Sequence, residues 1–74
     1  MINEQDKYFL QKLGQRITQL REEQNLSKIQ LAFELNTSES SIRRIEKGQV
    51  NVGAVTLHRL SVVLNTPLSD LLNI

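Results

Sequence analysis

The chain has 74 residues, with 9 lysines and arginines against 8 aspartates and glutamates, a formal net charge of +1 and no cysteine. That length allows one domain and no second one for an effector or an active site. Without cysteine there are no disulfides or thiolate metal sites, so the fold must close on apolar side chains, and the expected compartment is the cytoplasm.

A first helix is predicted from about Asn3 to Gln24. Leu10, Leu13, Ile17 and Leu20 recur at helical spacing and form one apolar stripe. Tyr8 and Phe9 extend that side, Asn3 or Asp6 can cap the start, and the early acids suit the positive end of the helix dipole. Gly14 inside the helix costs about 1 kcal/mol against alanine, which points to the close approach of a neighbouring helix. Asn25 ends the helix. The opening MINEQDKYF has acids where a secretory signal has bases. No apolar run approaches the ~20 residues that span a bilayer.

From Leu26 to Gly48 the chain reads as two short helices, over about 28–35 and 39–47, joined by a tight turn. Ser27 can cap the first, with Gln30 three residues on to complete a capping box. Leu31, Ala32 and Leu35 then share one face. Asn36 stands where that helix must stop, and asparagine tolerates the left-handed conformation such a turn needs. Ser38 can cap the second helix, Ile42 and Ile45 give it a buried side, and Gly48 closes it. Its other side shows Glu39, Ser40, Arg43, Arg44 and Lys47. A helix-turn-helix of this kind holds its second helix outward, so that polar side chains enter the major groove of DNA.

Gln49 to Val52 is a polar connection. A fourth helix from about Gly53 to Leu64 turns Leu57, Leu60, Ser61 and Leu64 inward. Thr66-Pro67 reads as a threonine cap followed by proline at the first helical position. The last helix, Leu68 to about Asn73, contributes Leu68, Leu71 and Leu72. The expected architecture is all-α: a single domain, 1–74, of five short helices around one core, with residues about 3–12 as an extension of the first helix.

The net charge does not suggest nucleic acid, but its distribution does. Lys28, Arg43, Arg44 and Lys47 cluster in the central motif, against Glu34, Glu39 and Glu46. Two apolar groups face away from the core: Ile29 with Phe33, and Val55 with Val62 and the nearby Ile74. A contiguous exposed apolar patch implies a contact, and the second group is the expected dimer interface. The one histidine, His58, has no partner to share a metal and is expected on the exposed side of the fourth helix. Ser41 and Ser61 have no histidine placed to form a triad, and there is no glycine-rich phosphate loop. No enzyme activity, cofactor, metal or small-molecule ligand is therefore expected.

The stretches LGQRITQLREEQNLS, IQLAFEL, SIRRIEKG and TLHRLSVVLNTPLSDLL stand in the order and spacing of the Cro and phage-repressor type of helix-turn-helix domain. The chain resembles this XRE family from about Leu13 to Leu72, with Leu31, Ala32, Ile42, Ile45, Glu46 and Gly48 as the most specific matches. The resemblance implies a lambda-repressor-like bundle whose helix from Ser38 to Lys47 reads double-stranded DNA. It also implies an ion pair between Arg21 and Glu46. Lys28 stands where many relatives carry glutamine, Asn36 and Thr37 replace a common glycine and an apolar residue of the turn, and Val52 stands where proline is frequent.

On this reading Glu39, Ser40, Arg43 and Arg44 are the base-reading candidates. Arginine can bond bidentately to guanine, and a carboxylate can accept from the cytosine amino group. Glu39 can instead pair with Arg43 at i,i+4. Lys28, Ser38, Ser41, Lys47, Gln49 and Asn51 are placed to hold phosphates, and the helix starts near Ser27 and Gly53 to offer amides to them. The expected function is a sequence-specific transcriptional regulator acting as a homodimer on a palindromic operator. The DNA-binding antitoxin of a toxin–antitoxin pair, and an interaction module that has lost DNA binding, are the alternatives. A protein partner, a toxin or another regulator, goes with them.

Overall fold

The computed structural model describes residues 3–74, so the first two residues of the expected domain lie outside it. Five helices follow in order: α1 (Glu4–Glu23), α2 (Lys28–Glu34), α3 (Glu39–Glu46), α4 (Ala54–Val63) and α5 (Leu68–Leu71). There is no strand among the described residues. Leu13, Ile17 and Leu20 of α1, Leu31 and Ala32 of α2, Ile42 of α3, Leu60 of α4 and Leu71 of α5 meet in one core, with Leu35 and Leu64 from the ends of α2 and α4. Complete burial of such a side chain contributes about 1.5–3 kcal/mol. The eight-residue α3 is too short to be stable alone. It is held by Ile42 inside the core and by Ile45 packed at its edge.

The helix starts are fixed by side chains. Asn3 Oδ1 accepts the Asp6 amide at 2.8 Å. Ser27 and Gln30 form a reciprocal capping box, with bonds of 3.0 and 2.7 Å. Ser38 Oγ accepts the Ser41 amide at 3.2 Å. The helix ends share one geometry. Asn25, Asn36, Gly48 and Asn65 all have positive φ, between 51° and 72°. After each, the next amide reaches back to a carbonyl of the last turn: Leu26 to Arg21, Thr37 to Ala32, Gln49 to Arg44 and Thr66 to Ser61. This is the Schellman closure, which satisfies carbonyls that would otherwise lack a donor.

α1 and α3 approach to backbone contact. A Cβ at Gly14 would overlap the Glu46 carbonyl oxygen and lie 2.7 Å from the Ile45 oxygen. A Cβ at Gly48 would lie 2.6 Å from the Gln11 nitrogen. The neighbouring helix expected at Gly14 is therefore α3.

Three sequence expectations need correction. Tyr8 and Phe9 are 63% and 48% exposed rather than part of the apolar side, because α1 at that height projects past the bundle and buries only Leu10. Thr66 does not cap α5; its hydroxyl donates to Leu64 O at 2.9 Å, and Pro67 with ψ 146° is itself the N-cap rather than the first helical residue. Leu68 and Leu72 stay outside the core, 40% and 37% exposed, since α5 has only four residues and turns Leu71 alone into it. The guanidinium of Arg16 adds a second tie, donating from Nε and Nη2 to Asp70 O at 3.3 Å.

Gly14→Ala is expected to destabilise the fold by about 1–3 kcal/mol through overpacking, although alanine is the better helix former. Urea unfolding checks this. An unchanged or raised midpoint would show that α3 yields to the added methyl group.

Candidate nucleic-acid interface

The outward face of α3 begins at its cap. The Ser38 hydroxyl, besides capping, lies 3.1 Å from Ser40 Oγ and 2.9 Å from Ser41 Oγ. The three hydroxyls thus engage one another at the helix start, with Ser38 and Ser40 exposed and Ser41 half-buried. With Ile42 and Glu46 turned inward, Arg43 and Arg44 project to solvent. Arg43 pairs with Glu39 at 3.3 Å, the i,i+4 pair anticipated from the spacing. Both side chains are nearly half exposed, so the pair adds little stability. Arg44 Nη2 donates to Ser41 Oγ at 3.5 Å.

Lys28, at the start of α2, comes beside this face. It lines an open hollow of about 390 Å3 together with Thr18, Arg43, Glu46 and Lys47. Three cations from two helices thus border one depression. Gln49 and Asn51 are exposed on the α3–α4 connection. The N-cap of α4, Gly53, offers no side-chain cap, in contrast to the starts of α1, α2 and α3.

Arg21 and Glu46 are the buried ionic element of the site. Arg21 Nε donates to Glu46 Oε2 at 2.8 Å and Nη2 to Oε1 at 3.2 Å. Nη1 donates to Leu26 O at 2.8 Å. Both side chains are under 10% exposed. The hydrogen bonds it donates to Glu46 hold the guanidinium above its already high ordinary pKa, against the opposing effect of burial. A planar fork held at three points fixes the end of α3 relative to α1 and to the α1–α2 turn.

The expected dimer residues are exposed but do not share one depression. Val62 borders a hollow with Ser61, Asn65, Thr66 and Pro67. Ile74 borders another, with Lys12, Gln15, Arg16, Gln19 and Asn73. Val55 and Val62 remain 64% and 65% exposed on α4, and Ile29 and Phe33 are 65% and 82% exposed on α2. His58 is exposed.

Sequence reasoning missed the polar stripe of α1. Lys7, Gln11, Gly14, Thr18 and Arg21 follow at spacings of four, three, four and three, one helical face, and the structure turns it to the carboxyl end of α3. Lys7 and Gln11 line a hollow of about 470 Å3 with Lys47, Gly48 and Gln49. The spacing was visible beside the apolar stripe, but a polar stripe on an amphipathic helix ordinarily faces water.

A capped helix held outward by its neighbours and bordered by cations is the arrangement of the second helix in a helix-turn-helix motif. The family model described as helix-turn-helix matches residues 17–71. The high-resolution crystal structure of the restriction-modification controller protein C.AhdI from Aeromonas hydrophila is similar, with a TM-score of 0.83 and 34% sequence identity, over 88% of this chain and 94% of that one. Curated protein sequences give no match. The chain belongs to the XRE-type helix-turn-helix family of DNA-binding regulators.

Arg21→Ala is expected to cost roughly 3–5 kcal/mol, because it leaves the Glu46 carboxylate buried without its partner. Adding Glu46→Ala should then cost little more. A double-mutant cycle in urea measures the coupling, expected at ~0.5 kcal/mol or more. Additive single effects would mean that the two side chains do not depend on each other.

Proposed function

We propose that this chain is a sequence-specific transcriptional regulator that binds a palindromic operator as a homodimer. The observation that carries the reading is the division of α3. Its buried side holds the fold through Ile42 and Glu46, while Glu39, Ser40, Arg43 and Arg44 have no part in the core and face outward beside Lys28 and Lys47. Base edges are read by those four outward residues. Phosphates are held by Lys28, Ser38, Ser41, Lys47, Gln49 and Asn51, with the amides at the start of α4 as further donors. C.AhdI is a restriction-modification controller protein, and 34% identity over nearly all of both chains supports control of a system of that kind here too.

One such motif reads only a few base pairs, so two copies about 34 Å apart on one face of the duplex supply the rest. The exposed valines of α4, Val55 and Val62, together with Ile74, form the proposed contact between copies. Selection from a random DNA pool tests the reading: enrichment of a short palindrome is expected, and a pool that stays random would sink it. Val62→Glu should weaken self-association without unfolding the monomer. An unaltered mass distribution in sedimentation would place the interface elsewhere.

Reading and anchoring separate in a salt series on operator and scrambled duplexes. Arg44→Ala should lose ~1–3 kcal/mol per half-site on the operator and much less on scrambled DNA. Lys28→Ala should weaken both duplexes alike and lower the salt slope by about one. Glu39→Gln removes a charge that repels phosphate, so affinity for scrambled DNA rises while the operator preference relaxes. Equal losses for every variant on both duplexes would mean that α3 does not read sequence.

A further inference from the structure

Lys47 borders two depressions. On one side it lines the hollow shared with Lys28 and Arg43. On the other it lines the hollow shared with Lys7, Gln11, Gly48 and Gln49. The two hollows meet at Lys47, and their lining residues trace one track from the start of α2, past the end of α3, to the first turns of α1. The far end of the track is built on residues outside the matched family region, which starts at residue 17.

The track keeps its positive sign. Glu46, the one carboxylate in the first hollow, is bound by Arg21 in two hydrogen bonds. Lys7 makes no ion pair among the described residues, and neither does Lys47. Glu4 is the acid nearest to Lys7 along its own helix face, one turn back, and it does not reach the Lys7 ammonium. Glu39, on α3, is paired with Arg43. Gly48 has no side chain, so its loop seats directly on the Gln11 backbone, one turn along from Lys7.

We infer that the first turns of α1 form a second anchoring surface for the DNA sugar-phosphate backbone, with Lys7 as its charge and the Gln11 and Gln49 amides as its neutral donors. The inference rests on the proposed DNA-binding reading and extends it to a segment outside the motif. One phosphate neutralised by Lys7 releases close to one counterion, so its contribution is read in the salt dependence and not in sequence preference.

The test compares the parent protein with Lys7→Ala, Lys7→Arg, Lys12→Ala and Lys28→Ala on operator duplex between low and high salt. Lys12 is the control, since its ammonium lies 5.5 Å from the centre of the Tyr8 ring and borders a different hollow, with Arg16 and Ile74. Lys7→Ala should lower the slope of log affinity against log salt by about one and weaken binding about three- to tenfold at low salt. Lys7→Arg should keep the parent slope, Lys12→Ala should behave as the parent, and the unfolding midpoint of all three should be unchanged. If Lys28→Ala lowers the slope while Lys7→Ala matches Lys12→Ala, the second anchor is overturned and the regulator reading stands. If the parent binds no duplex, both fall.

Discussion

The crossing of α1 and α3 is the constraint on which the rest of the molecule depends. α3 has eight residues and one fully buried side chain, so its own hydrogen bonds cannot hold it. Gly14 removes the Cβ that would stand in the way of the Glu46 carbonyl, and Gly48 does the same for the loop that follows. Into that close approach Arg21 sends a guanidinium that binds both oxygens of Glu46 and the Leu26 carbonyl. Burying two charges adds little net stability by itself, yet the pair is directional where apolar packing is not. It fixes how far α3 is rotated, and so which side chains face outward.

That rotation separates two kinds of residue on one short helix. Ile42 and Glu46 answer to the fold, and Glu39, Ser40, Arg43 and Arg44 meet only solvent, each other and the Ser38 and Ser41 hydroxyls. The Glu39–Arg43 pair is exposed enough to open at little cost, so both side chains are available to new partners. The outward face can change in sequence while the core and the crossing stay as they are.

Much of the fold was legible because its signals are local. The leucine spacing of α1, the Ser27–Gln30 box and the Asn36 turn each depend on a few neighbouring residues, and each stands where the sequence placed it. The failures come from context. Tyr8 and Phe9 continue an apolar pattern beyond the point where other helices cover it. Thr66 has the chemistry of a cap, but the Schellman turn at Asn65 draws its hydroxyl back to Leu64. The polar stripe from Lys7 to Arg21 resembles a solvated face, and only the position of α3 gives it a neighbour. The outward positions of α3 were legible because a short helix with Ile42 in the core and Ile45 at its edge leaves few others exposed. Val62 and Ile74 were harder to relate to each other, since α5 separates them in the chain and its short length sets where the chain leads.

The uniform helix endings have a kinetic consequence. Because each Schellman turn reverses the chain at once, the connections between helices are only four, four, seven and four residues long. Closing loops that short removes little chain entropy, and most contacts join segments already near in sequence. Such topologies fold in microseconds to milliseconds. A chain of this kind reaches its working shape far faster than a ribosome adds the next residue, at about 5–20 residues per second. The delay between its synthesis and its action is then set by how fast copies accumulate, not by folding.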